Sequence, residues 1–129
     1  MNQQMSVLVS TKDEAWITNP TIIARVKNVL GTIELDPASS IEANKIVGAE
    51  RIYTIEDDSL TKAWIANSIY LNSPFGKVGV KSQAGIFAEY AIDQYKQGNF
   101  KEGILLLDCR TGYVYFNSLL DRLVSATLK

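Results

Sequence analysis

Apolar residues recur along this chain in two rhythms, one suited to helices and one to strands, and the two alternate from end to end. Behind Thr18-Asn19-Pro20, the residues Ile22, Ile23, Val26, Val29 and Leu30 keep the spacing of one helical face. Thr18 or Asn19 can cap that helix, Pro20 suits its first position and Gly31 stops it. Ile33-Glu34-Leu35-Asp36 then reads as a short buried strand ending on a carboxylate, and Ser39 with Glu42 forms a capping box for a helix carrying Ile41, Ile46 and Val47. A second strand is predicted over 51–54, followed by the acidic turn Glu56-Asp57-Asp58, a short segment through Trp64 and a third strand over 68–71. After the turn at 76–79, Ile86, Phe87, Tyr90, Ala91 and Tyr95 mark a helix that Gly98 ends. Residues 103–107 form the most apolar strand, which ends on Asp108, and Phe116, Leu119, Leu120 and Leu123 give the stripe of a last helix.

Strands alternating with helices predict an α/β domain, a mostly parallel sheet with helices on both faces. The 129 residues make one domain over 1–129, with a start at about 1–12 that the pattern leaves loose. In such sheets ligands sit outside the carboxyl ends of the strands. Asp36, Asp57 or Asp58, Asn72 and Asp108 all fall at predicted strand ends or in the loops that follow, which gathers polar residues on one rim. Turn preference alone also places Asp and Asn in loops.

Composition narrows the chemistry. There is no histidine, which removes the commonest general base and metal ligand. Charge is balanced, 13 basic residues against 14 acidic, so any contact with a polyanion must be local. The single Cys109 cannot form an internal disulfide, and it has no partner base to make it a nucleophile. The start at Met1 lacks signal-peptide regions and no apolar run approaches the roughly 20 residues that cross a bilayer, so the sequence reads as cytoplasmic and not membrane-inserted.

The stretch Ile69-Tyr70-Leu71-Asn72-Ser73-Pro74-Phe75-Gly76 runs an apolar strand into an amide, a proline turn and an aromatic ring. The Asn72 side-chain oxygen and the Ser73 carbonyl can accept hydrogen bonds from an exocyclic amine, and Phe75 offers a face for a flipped-out base. The plainer reading is turn chemistry at a strand end.

Taken in order, these blocks resemble the phage-type, Dam-like DNA N-6-adenine methyltransferases from Trp16 to about Leu120. Trp16-Ile17-Thr18-Asn19-Pro20 is similar to the element that precedes the family's first helix and helps bind S-adenosylmethionine. Asp36-Pro37-Ala38, with Asn44 and Ala49 downstream, is similar to the acidic block against the cofactor's methionine end. Asp57-Asp58-Ser59-Leu60 with Trp64 resembles the run expected near the cofactor adenine, and Asn72-Ser73-Pro74-Phe75 resembles the catalytic Asn-Pro-Pro-Tyr block. Residues 103–107 leading into Arg110-Thr111 and Phe116 correspond to the segment after catalysis.

The resemblance implies a Rossmann-like methyltransferase fold, S-adenosylmethionine as cofactor with no metal, and DNA as partner with its adenine flipped out. It implies catalytic roles for Asn72, Ser73, Pro74 and Phe75, and cofactor contacts for Trp16, Thr18, Asp36, Pro37, Ala38, Asp57, Asp58 and Leu60. Ser73 stands where the family has its first proline, and the Asp36 block lacks the glycine that soon follows in the family. The chain ends at Lys129, which predicts a sheet lacking its C-terminal strand pair and a homo-oligomer or partner chain covering the strand at 104–107.

Two other readings compete. One is a catalytically inactive methyltransferase-like subunit or binding module, suggested by Ser73 and the short C-terminus. The other takes Asp36, Asp58 and Asp108 as a carboxylate rim holding Mg²⁺ for phosphoryl transfer, which explains neither Asn72 nor Phe75. Trp16 and Trp64 read as packing residues rather than base platforms. Lys77, Lys81, Lys96 and Lys101, interrupted by Glu89 and Asp93, read as phosphate contacts or as a solvated face.

Overall fold

Ile69, Tyr70 and Leu71 are consecutive strand residues and all fully buried, which a strand achieves only if both faces of its sheet are covered. The computed structural model describes residues 4–10, 20–72, 77–78 and 81–108. In chain order its elements are β1 (Gln4–Ser10), α1 (Pro20–Leu30), β2 (Leu35–Asp36), α2 (Ile41–Val47), β3 (Arg51–Ile52), β4 (Ala66–Asn72), β5 (Lys77–Val78), β6 (Lys81–Ser82), α3 (Gln83–Lys96) and β7 (Phe100–Asp108). Two 3-10 turns, Ile55–Asp57 and Ser59–Thr61, lie between β3 and β4.

Five strands form one sheet in the order β1-β7-β4-β2-β3, with every neighbouring pair parallel, and β5 pairs with β6 as a separate antiparallel ribbon. On one face Leu35, Ile69, Leu71 and Leu105 pack with Ala88, Ala91, Ile92 and Tyr95 of α3, and with Trp64 and Phe100. On the other, Tyr70, Ile104 and Leu106 pack with Ile33 and with Ile23, Val26 and Leu30 of α1 and Val47 of α2. This is the Rossmann-like α/β arrangement that the alternating pattern predicts.

Three features differ from the sequence reading. Gln4–Ser10, expected as part of a loose start, pairs residue for residue with Glu102–Asp108 of β7; Met5, Val7 and Val9 alternating with Ser6 and Ser10 are the strand signal in that stretch. The strand around 104–107, expected to lie bare and to need a partner chain, is interior, with β1 on one side and β4 on the other. At α2 the N-cap is Ser40, whose Oγ accepts the Ala43 N–H at 3.0 Å, not Ser39, whose Oγ donates to the Ser40 carbonyl at 3.3 Å and whose N–H donates to the Tyr53 carbonyl at 2.9 Å. The expected helix around 116–123 lies outside the described residues.

Candidate active site

Strand order fixes where a ligand can enter. From β2 the chain moves outward to β3, then returns to the other side of β2 as β4 and continues outward to β7, so the order reverses between β2 and β4. Open sheets bind ligands at such a reversal, beyond the carboxyl ends of the two strands. Here those ends are Asp36 and Asn72, and the register sets Leu35 beside Ile69. Alternation then puts Asp36, Tyr70 and Asn72 on the α1/α2 face.

The opposite ends of the same strands are locked. The Glu34 carboxylate accepts the Asn67 N–H at 2.9 Å and its Nδ2 at 2.8 Å, and these bonds, the backbone one foremost, lower its pKa. Ser68 Oγ accepts the Glu34 N–H at 3.1 Å and donates to the Thr32 carbonyl. β2 and β4 are thereby pinned at their entry, which fixes the crevice at their exit.

Asp36 is the unusual residue of that crevice. It is 2% exposed, and burial pushes its carboxyl pKa up to about 7 against the pull of the Ala38 N–H, at 3.2 Å, and the Ser39 hydroxyl. Pro37 is buried and Ala38 half-buried against the α3 core. The Asp36 carbonyl accepts the Tyr53 N–H at 3.0 Å, tying this loop to the one after β3. The amide of Asn44 bridges the Ala49 N–H and carbonyl at 2.8 and 3.1 Å. Asn72 is half-buried at the end of β4.

In the loop after β3 the two adjacent aspartates part company. Asp57 Oδ2 accepts the Thr54 N–H at 2.7 Å and the Thr54 hydroxyl at 3.1 Å, and the backbone bond first of all lowers its pKa. Asp58 is exposed in the left-handed region at φ 51°, and no hydrogen bond among the described residues engages its carboxylate. Leu60 is half-buried against the α3 core. Trp64 is fully buried, as its reading as a packing residue requires; its Nε1 donates to the Ser59 carbonyl at 3.0 Å, its N–H to Gln94 Oε1 at 2.9 Å, and its ring meets Tyr90 edge-on at 4.9 Å. It bolts the aspartate loop to α3.

Trp16, Thr18, Ser73, Pro74, Phe75 and the segment from Cys109 to Phe116 lie outside the described residues. Asp108 ends β7, two strands from β2. Among the described residues no group of three or more Asp, Glu or Cys side chains is placed to hold a metal ion. No helix among the described residues is long and apolar enough to cross a membrane.

A family model described as DNA N-6-adenine-methyltransferase (Dam) matches residues 5–125. The chain belongs to this family. No curated protein and no solved structure matches it. Membership in the Dam family supports methyl transfer to adenine N6 in DNA. The sequence reading missed one residue at the Asp36–Asn72 crevice. Tyr70 is fully buried beside Asp36 with its hydroxyl unpartnered among the described residues, and burial, then the Asp36 charge, push its pKa up. Only the register of β2 against β4 reveals the pairing.

Proposed function

We propose that this chain methylates the N6 amino group of adenine in DNA, with S-adenosylmethionine as methyl donor and Asn72 as the central catalytic residue. The observation that carries the reading is the strand-order reversal that brings Asp36 and Asn72 to one crevice in a chain of the Dam family. The donor set suits the cofactor. A buried carboxyl with no cationic partner among the described residues matches an ammonium group, and the exposed Asp58 beside half-buried Leu60 matches the polar edge and apolar face of an adenosine.

When bound, S-adenosylmethionine supplies an activated methyl group. The protein holds the target amine. The Asn72 amide oxygen and the Ser73 carbonyl accept its two N–H bonds, which favours a tetrahedral nitrogen with its lone pair free of the ring. Pro74 shapes the turn, and Phe75 stacks on the extruded base. Asp36 with Pro37 and Ala38 receives the amino-acid end of the cofactor, and the family resemblance adds Trp16 and Thr18 as further cofactor contacts. No histidine or metal enters this scheme; orientation and charge placement do the catalysis.

The test is incorporation of tritiated methyl groups into unmethylated DNA. Asn72→Ala is expected to abolish incorporation with S-adenosylmethionine affinity nearly unchanged, because its oxygen acts on the amine. Cofactor binding by the parent without any incorporation would leave the non-catalytic subunit as the better reading.

A further inference from the structure

Tyr70 is fully buried and its hydroxyl finds no hydrogen-bond partner among the described residues, an arrangement that works against the stability of the free protein. The residue beside it on the same sheet face is Asp36. The Asp36 carboxyl is nine-tenths buried and more, accepts the Ala38 N–H and is helped by the nearby Ser39 hydroxyl among the described residues, and has acceptor capacity to spare.

The charged groups on the elements around this pair have other arrangements. On α1, Arg25 is exposed and Lys27 Nζ lies over Gly48; on α2, Glu42 and Lys45 pair with each other at 3.2 Å in solvent. On β3, Arg51 donates to the Ile65 carbonyl, and on β4 the titratable group is Tyr70 itself. None of these cations offsets the burial of Asp36. A carboxyl so placed invites a positive charge that the described part of the chain does not supply.

We propose that Tyr70 is a positioning residue that acts through Asp36: its hydroxyl donates to the Asp36 carboxylate formed when a ligand's ammonium group settles there, coupling binding to release of the Asp36 proton. This deepens the methyl-donor reading and rests on it, since S-adenosylmethionine carries the ammonium group. The proton balance is simple. In the free protein the carboxyl keeps its proton up to about pH 7. On binding, the ligand nitrogen stays protonated, the carboxyl proton passes to solvent, and the phenol keeps its own proton while sharing it with the new carboxylate.

Calorimetric titration of the full chain with S-adenosylmethionine, in buffers of different ionisation enthalpy, tests this from about pH 5.5 to 7, below the range where an α-amino group titrates. Release of close to one proton per ligand is expected at the acid end, with affinity falling roughly tenfold per pH unit as pH drops. 5′-Methylthioadenosine, which has the nucleoside without the ammonium group, should bind with no proton release.

Tyr70→Phe removes only the unpartnered hydroxyl. Its thermal midpoint should equal or exceed the parent's, while its S-adenosylmethionine Kd rises roughly tenfold or more through loss of a charged hydrogen bond, with the Kd for 5′-methylthioadenosine unchanged. A merely structural role would lower the midpoint and weaken both ligands alike, and that result overturns the proposal. Parent binding without proton release also overturns it, needs no variant, and leaves the methyl-donor reading standing. A parent that binds no S-adenosylmethionine at any pH removes both.

Discussion

Replacing Asp36 with asparagine should make this protein more stable at neutral pH while weakening its site. The carboxyl is buried and its pKa rises from an ordinary 3.8 to about 7 on folding. Below about pH 4 both folded and unfolded chains carry the proton and nothing is lost. As pH climbs, the unfolded chain releases its proton first, and the folded state loses ground by about 1.4 kcal/mol per pH unit. The loss levels off above about pH 7 at about 4 kcal/mol, a large share of the roughly 5–15 kcal/mol of a typical domain.

The asparagine amide would keep an acceptor for the Ala38 N–H and carries no charge to bury. Urea denaturation of parent and Asp36→Asn, followed by far-ultraviolet circular dichroism at whole pH units from about 4 to 8, reads the difference directly. The two should match at the acid end and separate by about 4 kcal/mol at the alkaline end, the variant being the more stable. A gap that stays flat would refute the reasoning. So would a parent that gains on the variant as pH rises, since that requires a cation facing Asp36 in the folded chain. The same variant should bind S-adenosylmethionine more weakly by about 1.5–3 kcal/mol, the worth of a hydrogen bond to a charged group.

Other outcomes follow from the loop after β3 and from the core. Asp58→Ala should weaken S-adenosylmethionine in titration while Asp57→Ala leaves it nearly unchanged, because Asp57 is already engaged by Thr54 and Asp58 is not. Trp64→Ala should cost about 3–5 kcal/mol in urea denaturation, the usual range for emptying a buried aromatic site, and should increase hydrogen exchange at Ser59 and Lys62. Gly48→Ala should lower stability by about 1–2 kcal/mol, since this position ends α2 at φ 69° and an added Cβ would sit 2.8 Å from Lys27 Nζ.

What the sequence made legible, it did through periodicity. Pro20 and the spacing of Ile23, Val26 and Leu30 located α1, and Gly98 ends α3 as its position implies, because these signals act within one turn of helix. The blocks ending at Asp36 and Asn72 are legible as strand ends for the same local reason. Harder was anything set by pairing. A short strand of serines and valines such as β1 becomes recognisable only beside β7, and its presence turns the supposed edge at 104–107 into an interior strand. The capping role expected of Ser39 falls to Ser40, while the Ser39 N–H bonds Tyr53, far along the chain in the loop after β3. Asp57 and Asp58 look equivalent in sequence; only the fold of the turn engages one and leaves the other exposed.

Polar groups are bonded unevenly along the β2–β4 pair, and the division singles out its exit end as a candidate site. At the entry ends, Glu34, Asn67 and Ser68 satisfy one another and lock the two strands. Behind the aspartate loop, Trp64 and Gln94 do the same against α3. At the exit ends the logic inverts: among the described residues a carboxyl is buried without a cation, and a phenol is buried without a partner. A chain selected for stability alone would place apolar side chains at both positions, since removing both members of an unsatisfied pair is commonly neutral or stabilising. A ligand that completes them would explain their presence side by side, one at the end of β2 and the other on the strand that carries Asn72.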